Sequence, residues 1–128
     1  MLKKLNRISK DKEYKKIFRK SKKFETENLV FRVVKRDSNA QGSKKLKPNA
    51  YNLTSRFGFI VSNKIDKRAA RRNRLKRRLR AVVGESLDKI KPGFDVVILV
   101  KRQPKYPYKF EEIKEEVLMG MKKAELIS

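Results

Sequence analysis

The sequence predicts an α+β fold, a small sheet with helices packed on it in a two-layer sandwich, formed by one domain spanning residues 1–128. Three observations predict it. Two segments, 29–35 and 56–62, alternate apolar residues as half-buried strands do. A third, 94–101, is apolar on both faces and so belongs at the centre of a sheet. Between and around them, apolar residues recur at helical spacing. The order read along the chain is α-β-β-α-β-α.

The first helix is expected from Ser9 to about Lys23. Ser9 can accept from a free N–H of the first turn, and Tyr14, Ile17, Phe18 and Ser21 fall on one face. In the first strand, Leu29, Phe31 and Val33 share a side. Residues 37–55 hold Asn39, Gly42, Ser43, Pro48, Asn49 and Asn52 without a period, which reads as a long basic loop with room for a short strand near Tyr51. The second strand places Phe57, Phe59 and Val61 together. Asp66 is expected to cap a long helix that Pro92-Gly93 ends near Lys91. Gln103 to Tyr108 is a turn, and a last helix from about Lys109 to Glu125 carries Phe110, Ile113, Val117, Met121 and Ala124 on one stripe.

Charge narrows the function. Lys and Arg number 37 against 14 Asp and Glu, a formal net charge of +23. So much like charge repels itself in the folded state and calls for a polyanionic partner. Nucleic acid fits, because neutralising phosphates releases condensed counterions. A membrane fits poorly: the longest aliphatic run, Val96 to Val100, is far short of the roughly 20 residues of a spanning helix. The start, Met1 to Asn6, is charged without an apolar stretch behind it, so no secretory signal is read and a cytoplasmic location is expected. The chain has no Cys and no His. That removes disulfides, thiolate chemistry, the commonest general base and the commonest zinc ligand.

The most informative segment runs from Lys64 to Arg80, where ten of seventeen residues are Lys or Arg. At about 100° per residue, Leu75, Leu79, Val82, Val83, Ser86 and Leu87 form the buried side. Asn73, Arg74, Arg77 and Arg80 point away from it, and Arg71, Arg72 and Arg78 lie at its edges. A merely solvated face would mix acids with bases at i,i+4. Here like charges adjoin one another at the positive end of the helix dipole, where they are least favourable. Something negative is expected to lie against them, and Arg suits forked contact with phosphates.

The stretch Arg72-Asn73-Arg74-Leu75-Lys76-Arg77-Arg78-Leu79-Arg80 resembles the Arg-Asn-Arg signature helix of the ribonuclease P protein family. Phe57 to Lys64 resembles the strand leading into it, Arg7-Ile8 with Glu13-Tyr14 and Ile17-Phe18 the first helix, and Pro92 to Val97 the opening of the last strand. These matches keep their order along nearly the whole chain, so the resemblance is far more specific than a basic run.

The resemblance implies a left-handed βαβ crossover, and a small subunit of a ribonucleoprotein whose RNA removes the 5′ leader from precursor tRNA. The protein alone is then expected to be inactive, with no catalytic residue and no metal ligand of its own, and magnesium is expected with the RNA. Carried over by position, Lys64, Arg68, Arg71, Arg72, Asn73, Arg74 and Arg77 are candidates for contacting the catalytic RNA. Tyr14, Phe18, Arg32, Lys76, Arg80, Arg7 and Lys10 are candidates for contacting the leader. Arg32 stands where the family often has an aromatic, and a guanidinium can also stack on a base. The loop is longer than usual, and Ser62 to Arg72 is about one residue longer than in some relatives.

For Tyr14 and Phe18 core packing is the competing reading, because Ile17 lies between them on the same stripe. The acids Glu111, Glu112, Glu115 and Glu116 read as a solvated helix face near the positive end of its dipole rather than as a metal cluster. A ribosomal or other structural RNA-binding protein is the main alternative. No dimerising segment or helix-turn-helix pattern suggests DNA binding, and a free monomer is expected.

Overall fold

A computed structural model describes residues 7–8, 11–35, 55–102 and 109–127. In order they form α1 (Asp11–Lys20), β1 (Lys22–Glu25), β2 (Leu29–Lys35), β3 (Arg56–Ile60), α2 (Ala69–Ser86) with a 3-10 turn (Leu87–Lys89), β4 (Phe94–Val100) and α3 (Phe110–Lys123). The fold is α+β, as the sequence predicts, with one strand more.

The strands make a single sheet in the order β1-β2-β4-β3. β4 is interior because its sequence, FDVVILV, is apolar toward both faces. It pairs antiparallel with β2, from Leu29 opposite Val100 to Lys35 opposite Phe94. On its other side it pairs parallel with β3, from Arg56 beside Asp95 to Ile60 beside Leu99. Parallel neighbours need a crossover, and α2 provides it. Outside β3, Arg7 bridges Phe57, with the Ile8 N–H donating to the Phe57 carbonyl at 2.9 Å.

The main core lies on the face carrying Leu29, Phe31, Val33, Phe57, Phe59, Val96, Ile98 and Val100, covered by α2 and α3. α3 sits close because residue 120 is glycine. A Cβ there would stand 2.1 Å from Cε1 of Phe31. α1 lies across the opposite face, where Ile17 and Ile8 pack on Val97.

Several expectations change. The first helix ends at Lys20, and Lys22 and Lys23 belong to β1, which pairs with β2 from Lys22–Val33 to Glu25–Val30. Ser21 therefore follows the helix, its N–H donating to the Ile17 carbonyl at 2.8 Å. The Asp66 carboxylate accepts from the Arg68 N–H at 2.9 Å, but helical geometry starts only at Ala69. That helix gives way at Leu87 to the 3-10 turn, and the chain reverses through Gly93 at φ 88°, a left-handed conformation that suits glycine.

Glu116 does not belong to a solvated face. Its carboxylate accepts from the Thr26 hydroxyl at 2.6 Å, the Asn28 N–H at 2.6 Å and the Asn28 side-chain amide at 2.9 Å. It thereby ties the β1–β2 turn to α3. The readings at Ser9, Lys10, residues 37–54 and residues 103–108 fall outside the described residues.

Candidate nucleic-acid interface

α2 divides largely as its sequence period requires, with two exceptions. Leu87, expected on the buried side, is only partly buried in the 3-10 turn, and Arg80, expected to point away, is partly buried. Leu75, Leu79, Val82, Val83 and Ser86 are buried. Asn73, Arg74 and Arg77 are exposed, and Arg71, Arg72, Lys76, Arg78 and Arg80 are intermediate. The buried stripe begins only at Leu75, so the first turn stands beyond the core with Arg68, Ala69 and Ala70 exposed. Three basic residues from the approach and the helix, Lys64, Lys67 and Arg72, line a hollow of about 450 Å³ with Asn63. Arg68 and Arg71 line an adjoining one with Asp66.

Arg72 also supports this approach. One of its guanidinium nitrogens donates to the Asn63 side-chain oxygen and, at 3.3 Å, to the Asp66 carbonyl. Asp66 is the one acid inside the cluster, and it is buried. The positive end of the helix dipole and the surrounding cations together favour an anion there. Further along, Arg74, Arg77 and Arg78 meet Phe110 of α3 around a third hollow of about 330 Å³. Phe110 was expected in the core stripe alone, and its place beside the basic face comes from how α3 packs on α2.

The α1 face of the sheet holds the second group. Tyr14 lies over Gly58 of β3, and its hydroxyl donates to the Ile8 carbonyl at 3.1 Å. Phe18, half-buried, has the Arg32 guanidinium 5.8 Å from its ring centre, within cation–π range. The structure thus brings Phe18 and Arg32 together, while Tyr14 and Phe18 are both only partly buried against the cluster of Ile8, Ile17 and Val97. Arg7 is exposed at the β3 edge. Lys76 and Arg80, one turn apart, belong to the helix on the opposite face of the sheet.

A tether absent from the sequence reading sets the pose of α1. Arg56 donates to both carboxylate oxygens of Asp95, at 2.9 and 2.8 Å, and also pairs with Glu13 of α1. The hydrogen bonds to Asp95 raise the Arg56 pKa above the ordinary arginine value, with the charges of Asp95 and Glu13 adding to the effect against partial burial. An acid in an otherwise apolar strand was the available signal: a buried carboxylate needs a cationic partner.

Among the described residues no group of three or more acids could hold a metal ion. No described helix is long and apolar enough to cross a membrane.

This arrangement has relatives. The Ribonuclease P family model matches residues 2–125. A Synechocystis sp. protein described as Ribonuclease P protein component is 40% identical over 91 residues, which cover 71% of this chain and 63% of that protein. Its counterpart from Cyanothece sp. is 30% identical across 99% of this chain and 98% of its own length. The solved Staphylococcus aureus RNase P protein shares the fold, with a TM-score of 0.75 at 21% identity, covering 96% of this chain and 98% of that one.

Proposed function

Because this chain belongs to the ribonuclease P protein family, we propose that it binds the catalytic RNA of ribonuclease P through α2 and the 5′ leader of precursor tRNA across the α1 face of the sheet. The observation that carries this reading is the basic face of α2, which runs past the end of the core with Asn73, Arg74 and Arg77 exposed. Lys64, Arg68, Arg71 and Arg72 extend it toward the approach loop. On the other side of the sheet, the Phe18 ring and the Arg32 guanidinium supply planar surfaces for unpaired bases. Such stacking is worth about 1–3 kcal/mol per base and tolerates many sequences. A subunit that serves many leaders needs that tolerance. Arg7 adds a phosphate contact from the β3 edge and Lys10, three residues on in sequence, a second. Lys76 and Arg80, on α2 and so across the sheet from Phe18 and Arg32, act on leader that passes round the sheet edge.

Hydrolysis of the phosphodiester is the work of the RNA, which also binds the magnesium. The protein contributes by raising affinity for precursor and by replacing part of the counterion cloud with its own charge, so less magnesium is needed.

Equilibrium binding of a bacterial ribonuclease P RNA tests the α2 assignment. Arg74→Ala is expected to weaken binding about tenfold and to lower the salt slope by about 1, the loss of one charge-assisted phosphate contact. Unchanged affinity and slope would remove α2 as the RNA-binding element.

A further inference from the structure

A different surface gathers positive charge at the end of the sheet where β1 begins, β2 ends and β4 begins. A hollow of about 640 Å³ opens there between the C-terminal ends of α1 and α3. Its floor is apolar, with the partly buried rings of Phe24 and Phe94, which also pack on the main core, beside Val33 and Val34, and five lysines ring it against one acid, Glu125.

Two of the lysines have a structural explanation. Lys20 closes α1, where a cation offsets the negative end of the helix dipole. Lys123 closes α3 and donates to the Glu25 carbonyl at 3.0 Å. Lys22, Lys35 and Lys91 have neither reason. They lie outside the helices, they are exposed, and among the described residues no acid comes within ion-pairing distance of them. Their backbones are fixed by the fold. Lys22 is registered opposite Val33, and Lys35 opposite Phe94. The Lys91 N–H donates to the Leu126 carbonyl at 2.8 Å, while its own carbonyl accepts from the Ser55 hydroxyl at 2.7 Å. Three like charges held around two aromatic rings suit a single strand, with phosphates on the lysines and bases on the rings. A duplex would keep its bases away from the floor.

The hollow also continues the leader surface. Val34 borders it and packs with Ile17 and Phe18 in the cluster under α1. Lys20 follows Phe18 by two residues of helix, and Val34 follows Arg32 by two of strand, about 7 Å. A chain stacked on Phe18 and Arg32 that follows both elements forward therefore arrives at Lys22 and Lys35.

We infer that this lysine-ringed hollow binds the part of the leader lying beyond the nucleotides on Phe18 and Arg32, an extension that rests on the leader reading above. The test compares the ribonuclease P holoenzyme containing this chain with one containing the triple variant Lys22→Ala, Lys35→Ala, Lys91→Ala. Its ligands are precursor tRNAs with leaders at the two ends of the range that single-strand sites cover, about 4 and about 16 nucleotides. The variant is expected to bind the long leader about tenfold more weakly with a salt slope reduced by about 2, near 0.7 per neutralised phosphate. Short-leader affinity and assembly on the catalytic RNA should not change. Equal affinity of variant and parent for the long leader overturns the inference. So does a loss at both leader lengths accompanied by weaker assembly, which would assign the hollow to the catalytic RNA. If the parent holoenzyme itself fails to prefer precursor over mature tRNA, the leader reading fails first and takes this extension with it.

Discussion

The Tyr14 ring rests so closely on Gly58 that a methyl group at position 58 would stand 2.4 Å from its phenol oxygen and 2.7 Å from Cε1. The same hydroxyl donates to the Ile8 carbonyl at 3.1 Å, so the ring has little freedom to withdraw. Gly58→Ala should therefore lift α1 from the sheet at a cost of about 1–3 kcal/mol, the usual range for overpacking. Urea unfolding measures that cost, and precursor affinity should fall with it. A variant with unchanged stability would show that Tyr14 is not held against β3.

Phe18 is partly buried, as Tyr14 is, but its ring faces the Arg32 guanidinium. Phe18→Ala is expected to weaken precursor tRNA binding by about 1–3 kcal/mol, one stacked base. Mature tRNA lacks the leader and should bind as before. Equal losses for both ligands would identify Phe18 as a packing residue.

Arg56 ties α1 to the sheet through Glu13 and Asp95. Arg56→Ala leaves the buried Asp95 carboxylate without its bidentate partner, an expected loss of about 2–3 kcal/mol. Since the folded pKa of Arg56 is raised by Asp95, the stability it contributes is complete below the ordinary arginine value and lost only as pH rises past it. The difference between parent and variant attributable to Arg56 ionisation should thus stay level from neutral to moderately alkaline pH. A difference that shrinks steadily over that range would contradict the assignment.

Gly120→Ala sets two effects against each other. Alanine gains about 1 kcal/mol of helix propensity. Its methyl, however, would overlap the buried Phe31 ring, 2.1 Å from Cε1 and 2.4 Å from Cζ. Overpacking of a closed core at about 1–3 kcal/mol should win, giving a lower melting temperature. A higher one would mean that α3 can move away from β2.

The elements read most directly from the sequence are those whose pattern is local. The stripe Leu75, Leu79, Val82 and Val83 follows from helical period alone, and the same period leaves Asn73, Arg74 and Arg77 outside. β4 is interior, as its apolar character toward both faces predicts, while β2 is interior too only because β1 adds to its outer edge. β1 was illegible for the opposite reason. Lys22-Lys23-Phe24-Glu25 continues the charged pattern of α1, and it becomes a strand only by pairing with β2 across a turn held by Glu116, some ninety residues away. The Arg56–Asp95 pair required knowing that β3 and β4 are parallel neighbours in that register. That Tyr14 lies over Gly58 was equally beyond period counting, because it depends on a glycine in a strand far along the chain.

In the proposed function this chain assists an RNA catalyst without being one. Cleavage of precursor tRNA at low magnesium by a bacterial ribonuclease P RNA, with and without the protein, tests it most directly, with the protein alone as a further arm. Strong stimulation of the RNA by the protein and no cleavage by the protein alone is the predicted result. Cleavage by the protein alone, or no stimulation despite tight and salt-sensitive binding of the RNA, would contradict it.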